Sequence, residues 1–249
     1  DWFSRLAARI ISVLTTHTAE GKAFEIDTRL RPSGNKGPLV SSLESFRDYH
    51  RRTSKLWERQ ALIKARPITG PTFLKDELNL IVRDCVTRCA ASDQDLKEIA
   101  RLRGRMEQEI AEEDKFHVDL KTGQGGLVDV EFFVQAHILK YGNQKPELLR
   151  QNTLEALEAL YSHSLIDMDT FATLDKGYRF LINLEDRLRL MEHRIVDRIP
   201  LTGQKLKSLA RRLGYSDQGG RQLLEDYLTK TRSIREIYSS FFQAFSSDA

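Results

Sequence analysis

The sequence predicts an α+β protein that is mostly α-helical. Residues 24–30 alternate apolar or hydroxyl side chains with charged ones, which is the pattern of a strand with two different faces. Beyond residue 71, apolar residues recur every three or four positions in successive segments, as in helices that pack side by side in a bundle. We therefore expect a mixed part over residues 1–70 and a helical bundle over residues 71–249.

The mixed part combines one strand with three helices. Apolar residues at helical spacing predict the first helix, and Gly21 ends it or opens the turn that follows. Pro67 biases Arg66 away from helical geometry and so ends the third helix. The predicted elements are a helix at 2–16, a strand at 24–30, an extended piece at 37–41, a helix from 42 to about 52 and a helix at 56–64.

The bundle is predicted from apolar stripes bounded by caps and glycines. Ser92 and Asp95 form a capping-box pattern, and Asn152 has the position of another helix cap. A glycine-rich turn at 122–126 interrupts the helices, and Gly142 ends the helix that follows it. The predicted helices cover residues 74–91, 92 to about 113, 127–141, 152–163, 169 to beyond 188, 202–214 and 221–245.

Composition restricts the function classes. Of 249 residues, 39 are basic and 36 acidic, and the resulting net charge of +3 is too small to indicate a nucleic-acid partner. No apolar run is long enough to span a membrane, and no signal peptide is visible. Cys85 and Cys89 lack a nearby Cys/His pair for zinc, so we expect two buried thiols in a reducing cytoplasm. The chain begins in a helical pattern without Met, so we expect residues before Asp1 in the native protein.

A row of charges on the predicted strand is the most informative feature of the chain. One face of the predicted strand carries every second side chain, and these are all charged. They are Glu25, Asp27 and Arg29, and Arg31 continues the row just beyond residue 30. Such rows are common on solvated strand faces. Equally, a carboxylate could hold a divalent metal beside arginines that hold phosphate. The spacing alone leaves both interpretations open.

Metal-dependent nucleotidyl transfer gives the second interpretation a concrete form. Two metal ions bind the triphosphate and activate the attacking hydroxyl, and carboxylates on adjacent strands hold them. Two carboxylates usually come from an Asp-x-Asp pair after a Gly-Ser turn, and a third stands alone between apolar residues. Asp27 fits the third position. Asp167 and Asp169 have the spacing of the pair, but without the turn or a strand they are better explained as acids at a helix N-terminus.

Four separated blocks, in order along the chain, resemble glutamine synthetase adenylyltransferase. They are residues 29–34 (RLRPSG), 37–42 (GPLVSS), 57–66 (WERQALIKAR) and 119–135 (DLKTGQGGLVDVEFFVQ). The resemblance implies the remainder of a polymerase-β-type nucleotidyltransferase domain over 1–70, followed by a helical bundle. It also implies a bifunctional enzyme, one half of which adds AMP from ATP to a tyrosine of glutamine synthetase. The other half removes AMP by phosphorolysis, and glutamine and the PII signal protein set the balance.

The resemblance also implies roles for particular residues. Asp27 would be a catalytic carboxylate that binds Mg²⁺ and helps to orient the tyrosine hydroxyl. Arg29 and Arg31 would bind the triphosphate, with salt bridges to nearby acids as the equal alternative. Lys64 and Arg66 would face the nucleotide, although a solvated face is the simpler explanation for them.

The last block contributes two acids and three glycines. Asp129 and Glu131 could touch nucleotide or metal in a cleft, whereas acids this early in a helix also suit its N-terminus. Gly123, Gly125 and Gly126 could cradle a phosphate, but a plain turn between helices is the favoured interpretation.

Residues 15–18, 27–34 and 57–62 resemble the AMP-adding C-terminal half more than the AMP-removing half. The glycine turn and the first two metal carboxylates are expected before Asp1, so this chain alone is expected to be inactive. The alternatives are the phosphorolytic half, or a docking module for glutamine synthetase or a PII-type regulator. A third alternative is an RNA-binding protein, since the polymerase-β type also includes enzymes that act on RNA, and the near-neutral charge disfavours it.

Overall fold

The computed structural model describes residues 1–111, 113–114, 116–192, 198–216 and 219–246. Helices dominate, with one small antiparallel sheet, which confirms the predicted class. The elements are α1 (Trp2–Thr15), α2 (Leu43–Arg52), α3 (Leu56–Leu62), α4 (Thr72–Thr87), α5 (Asp93–Glu109), β1 (His117–Asp119), α6 (Leu127–Tyr141), α7 (Thr153–Ser162), α8 (Met168–Glu192), β2 (Arg198–Pro200), α9 (Gly203–Arg212) and α10 (Gly220–Ser246). Val118 of β1 faces Ile199 of β2.

The strand predicted at residues 24–30 is wrong. In the described part of the chain no strand pairs with this segment, and its apolar side chains are exposed, 63% for Phe24 and 59% for Leu30. A strand needs a neighbour because its backbone donors and acceptors must otherwise be satisfied by water. The segment instead forms local hydrogen bonds, such as the one from the Arg31 amide to the Thr28 carbonyl oxygen.

The predicted helix starts are confirmed where a side chain caps the first turn. Ser42 Oγ accepts the Ser45 amide. Ser92 and Asp95 form a reciprocal capping box, in which each side chain accepts the other residue's amide. Asn152 Oδ1 accepts the Leu154 amide at the start of α7. These bonds satisfy amides that the helix itself leaves without partners, so the sequence fixes where the helices begin.

The chain forms two compact units, Asp1–Arg88 and Cys89–Ala249. In the first unit, α4 packs against α2 and α3, so the unit extends past the boundary expected at residue 70. The domain division at 70 and 71 itself stays a prediction. Cys85 is a buried thiol as expected, whereas Cys89 is exposed.

The core of the second unit lies around α6. This helix packs against α5, α7, α8 and α10, and its residues are buried on nearly every side. The apolar stripe predicted for the long helix α8 is buried along its whole length, at Leu174, Tyr178, Leu181, Leu184 and Leu188. Burial of one such leucine contributes about 2 kcal/mol, so this stripe is a main source of stability for the unit.

The first unit has a much more exposed apolar surface. Helix α1 contains no buried residue, and its large apolar side chains Trp2, Phe3, Leu6, Ile10 and Val13 are exposed. Among the described residues, no helix combines the length and the hydrophobicity that crossing a membrane requires.

Candidate functional site

Asp27 and Arg29 form an exposed, two-pronged ion pair. Arg29 Nη2 lies 2.7 Å from Asp27 Oδ2, and Arg29 Nε donates to the same oxygen at 2.9 Å. The Arg29 amide also donates to Asp27 Oδ1 at 2.9 Å. The three donors orient the carboxylate, and their hydrogen bonds lower the pKa of Asp27 to about 2. Asp27 is therefore fully ionised at neutral pH.

An ionised, exposed carboxylate is a suitable magnesium ligand. Within the described residues, no group of three His, Cys, Asp or Glu side chains could hold a metal ion. Asp27 would therefore contribute a single carboxylate. That fits the usual chemistry of Mg²⁺, which takes one or two protein carboxylates and completes its shell with substrate phosphates and water. Arg29 would have to yield at least one oxygen to the metal.

Arg31 points back into its own loop. Its Nη1 donates to both the carbonyl oxygen and the hydroxyl of Thr28 at 2.8 Å, and its Nε donates to the Gly37 carbonyl oxygen at 3.3 Å. Gly37 itself lies so close to the chain that a Cβ there would be 2.0 Å from the Pro32 carbonyl oxygen. Arg31 therefore stabilises the loop that follows Asp27 through hydrogen bonds to that loop. Its contact with the triphosphate stays a prediction.

Lys64 and Arg66 lie at a cavity of about 460 Å³ in the first unit. Leu30 also lines this cavity, whereas Asp27, Arg29 and Arg31 do not. The apolar part of its wall comes from three helices, with Leu43, Phe46, Leu62, Leu78 and Val82. Sequence reasoning missed the cavity, because these apolar residues have the spacing of ordinary packing faces.

Glu58 connects two helices beside this cavity. The carboxylate is buried, and it accepts the Tyr49 hydroxyl at 2.7 Å and the Lys55 amide at 2.8 Å. The bond from Tyr49 raises the pKa of that tyrosine, since the neutral phenol is the donor. Glu58 therefore links α2 to the start of α3 and fixes the cavity wall.

Asp129 lies in the interior of the second unit and is fully buried. Arg103 Nε donates to its Oδ1 at 2.6 Å, and the Gly125 amide donates to its Oδ2 at 2.7 Å. Arg235 Nη1 lies 3.2 Å from Oδ2. Both carboxylate oxygens are thus occupied by partners from α5, the glycine turn and α10. The structure supports a role in the fold, and the predicted contact with nucleotide or metal stays a prediction.

The same network continues through a second acid. Arg103, also fully buried, donates from Nη2 to the Gly123 carbonyl oxygen at 2.8 Å. Its Nη1 lies 3.5 Å from Glu107 Oε2, and Arg235 Nη1 lies 3.1 Å from the same oxygen. Two arginines and two carboxylates balance in charge, which is the condition under which buried ions are tolerated.

The glycine turn packs on α10. Gly125 has a φ of +68°, and a Cβ there would lie 1.8 Å from the Thr231 carbonyl oxygen. Its amide is engaged by Asp129, and the Gly126 amide donates to the Gly123 carbonyl oxygen. These amides are not available to a phosphate. The turn therefore serves helix packing, as the favoured interpretation of its glycines predicts.

Glu131 contacts a neighbouring helix. Its Oε1 accepts the Tyr178 hydroxyl at 2.9 Å, which joins α6 to α8. Burial and the neighbouring Glu131 carboxylate raise the pKa of Tyr178, so this phenol stays protonated and donates. The observed contact is structural, and the predicted role of Glu131 in a cleft stays a prediction.

Sequence reasoning also missed Arg103. The sequence does contain a signal for this residue. Arg103 continues the stripe of Leu96 and Ile99 at helical spacing, and both of those side chains are fully buried. A charged residue at a core position of a helix indicates a buried ionic partner elsewhere in the chain.

Two family models match the chain. Residues 1–80 match the model described as glutamate-ammonia ligase adenylyltransferase. Residues 100–242 match the model described as PII-uridylyltransferase.

Curated relatives carry the name bifunctional glutamine synthetase adenylyltransferase/adenylyl-removing enzyme. A relative from Xanthomonas axonopodis pv. citri is 38% identical over 183 residues, which are 73% of this chain and 19% of the relative. One from Streptomyces coelicolor is 34% identical over 239 residues, 95% of this chain and 24% of the relative. One from Thioalkalivibrio sulfidiphilus is 36% identical over 193 residues, 77% of this chain and 20% of the relative. The chain thus spans about a fifth to a quarter of the length of these relatives.

We expect the Asp27 carboxyl group to titrate at an unusually low pH because it is paired with Arg29. Its hydrogen bonds lower the pKa of Asp27 from 3.8 to about 2. The ion pair is therefore complete above pH 3.8 and is lost as the pH falls through about 2. At about pH 3, carboxyl NMR should find Asp27 mostly ionised in the wild type and mostly protonated in the Arg29→Gln variant. Arg47→Gln, which removes a pairing with Glu77 instead, is the control and should leave Asp27 unchanged. An Asp27 that titrates alike in all three proteins would contradict the pairing.

Asp129→Asn is expected to destabilise the second unit by about 3–5 kcal/mol, because it leaves two buried or half-buried guanidiniums without their shared carboxylate. Glu109→Gln is the matched control, since its pair with Arg105 is exposed to water and should contribute far less to stability than the buried network. Urea unfolding of both variants measures the difference. Equal midpoints for the two variants would show that the buried network does not stabilise the fold.

Proposed function

Because the chain belongs to the glutamine synthetase adenylyltransferase family, as its four sequence blocks predicted, we propose that the complete protein transfers AMP from ATP to a tyrosine of glutamine synthetase. The observation that carries this proposal is the oriented, fully ionised Asp27 carboxylate beside Arg29, three residues before the wall of a cavity that Lys64 and Arg66 also line. The proposed metal ligand and the proposed phosphate-binding cations belong to one compact unit.

The proposed reaction is an in-line displacement at the α-phosphorus of ATP. The tyrosine oxygen forms the new O–P bond, the bond to pyrophosphate breaks, and the phenolic proton passes from the attacking oxygen to water. Bound Mg²⁺ would neutralise charge on the triphosphate and lower the pKa of the phenol. Asp27 would hold the cation, and its carboxylate is already oriented by the hydrogen bonds from Arg29.

Arg29 acts as an exchangeable partner in this scheme. In the structure it neutralises Asp27, and its guanidinium is exposed. Were a cation held by Asp27, Arg29 would be free to bind phosphate, which a guanidinium can do through two parallel hydrogen bonds. Lys64 and Arg66 provide further positive charge, and Arg31 keeps the loop in shape through Thr28.

The AMP-removing reaction is the second candidate, because the relatives' name covers both activities. There, a phosphate oxygen attacks the α-phosphorus of the tyrosine-linked AMP, the bond to the tyrosine oxygen breaks and the tyrosine takes up a proton, and ADP is the product; the same carboxylate and cations would serve. We favour addition because residues 15–18, 27–34 and 57–62 resemble the AMP-adding half. We further propose that glutamine and the PII protein regulate the complete protein, and that it works in the cytoplasm, where free thiols such as Cys85 persist.

The test is transfer of label from α-labelled ATP to glutamine synthetase by the complete protein with Mg²⁺. Asp27→Asn should lower the rate at least about 100-fold, because it removes a charge that holds the metal. The control is Glu25→Gln, two residues away and also exposed, which should stay within about threefold of the wild type. Full activity of Asp27→Asn would overturn the metal role.

The same protein distinguishes addition from removal. Labelled, adenylylated glutamine synthetase is incubated with inorganic phosphate, and phosphate-dependent release of labelled ADP is measured. If this release depends on Asp27 while transfer from ATP does not, the chain belongs to the removing half.

A further inference from the structure

The solvent face of α9 in the second unit is basic. The ten residues of this helix include neither Asp nor Glu. All four of its basic side chains are exposed, namely Lys205, Lys207, Arg211 and Arg212. The whole chain, in contrast, is nearly balanced, with 39 basic and 36 acidic residues. Helix α9 therefore concentrates positive charge on one short surface.

The charges of α9 are also less compensated than those of neighbouring helices. Ion pairs one turn apart balance several exposed arginines there, such as Arg179 with Asp175 on α8 and Arg221 with Glu225 on α10. Three basic residues of α9 have no ion-pair partner among the residues that the structure describes: Lys207, Arg211 and Arg212. Their charge is therefore available to a partner molecule.

The helix dipole accounts for only half of this charge. Cations suit the last turn of a helix, where Arg211 and Arg212 lie. Lys205 lies in the first turn, where the dipole disfavours a cation, and Lys207 follows in the second turn. Stability of the helix thus does not explain why its first half is basic as well, which favours a binding role for the charge.

The opposite face of α9 holds the helix in place. Leu206, Leu209 and Ala210 are buried, and the helix packs against α8, β2 and α10. Just beyond the helix, the Tyr215 hydroxyl donates to the Asp226 carboxylate of α10, so this acid already has a partner. The basic side chains are therefore carried by a preformed surface, and a partner need not order the helix when it binds.

These features favour an acidic protein surface over a membrane or a nucleic acid. The apolar side of α9 is buried, so it is not available to insert into lipid. The helix contains no aromatic residue on which a base could stack, and the net charge of +3 is small for a nucleic-acid-binding chain. An acidic protein surface requires only complementary charge, which α9 supplies.

We propose that the basic face of α9 docks an acidic surface of the protein substrate of AMP transfer. The inference rests on the proposed function for the identity of that substrate, glutamine synthetase, whereas the charge of the docking surface follows from α9 itself. The two substrates are then recognised separately, ATP by the first unit and the protein by the second. Exposed charges at an interface act mainly on the rate of association, and salt weakens them.

The double variant Lys207→Glu/Arg211→Glu of the complete protein tests the docking surface. We expect KM for glutamine synthetase to rise at least about tenfold at about 50 mM NaCl, and KM for ATP to stay within about twofold. The difference should shrink at about 300 mM NaCl, because salt screens exposed charges. The matched control is Lys176→Glu/Arg232→Glu, which reverses two exposed charges elsewhere in the same unit and should change neither KM.

The inference and the proposed function fail in different ways. An unchanged KM for glutamine synthetase in Lys207→Glu/Arg211→Glu, or the same rise in the control, overturns the inference. If the wild type transfers no AMP, the proposed function fails, and binding to immobilised glutamine synthetase decides the inference instead. Binding at least about tenfold weaker in the double variant than in the control supports the docking surface. Equal binding overturns it, as does a loss confined to a single-stranded RNA or to the PII protein.

A neutral variant keeps the test decisive if charge reversal prevents folding, as judged by circular dichroism. Lys207→Gln/Arg211→Gln removes the same two charges without introducing acids. It should raise KM for glutamine synthetase about three- to fivefold at low salt. No rise in this folded variant would overturn the inference.

Discussion

The second unit depends on one buried carboxylate. Asp129 accepts hydrogen bonds from Arg103 and from the Gly125 amide, and it pairs with Arg235, so one side chain joins α5, α6, α10 and the glycine turn. Removing charges from water is costly, and the arrangement is stable only because each charge has its partner. The constraint also explains the glycine, since any side chain at position 125 would push α10 away.

The Asp129–Arg103 and Asp27–Arg29 pairs have opposite consequences. Asp129 and Arg103 are buried, so water does not compete for their bonds and the pair stabilises the fold. Asp27 and Arg29 are exposed, and water competes for each of their bonds. An exposed pair contributes little stability. We propose that its carboxylate exchanges the guanidinium for a metal ion. The same chemistry therefore serves packing in one unit and is suited to catalysis in the other.

Local signals in the sequence predicted most of the fold. Apolar stripes such as that of Leu174 to Leu188 and caps such as Ser92 act within a few residues, so they can be recognised without a structure. The strand at 24–30 was wrong because a strand depends on a neighbour, which alternation cannot reveal. The partners of Asp129 lie 26 and 106 residues away in sequence, and the cavity combines three helices, so neither could be derived from spacing.

The central claim is that Asp27 serves the chemistry and Asp129 serves the fold. The most direct test is AMP transfer to glutamine synthetase by the complete protein carrying Asp129→Asn, expressed per folded molecule at a temperature where circular dichroism shows the native helix content. We predict a rate within about threefold of the wild type, because Asp129 is fully buried and its oxygens are occupied. A folded Asp129→Asn protein that has lost transfer as completely as Asp27→Asn would contradict the account.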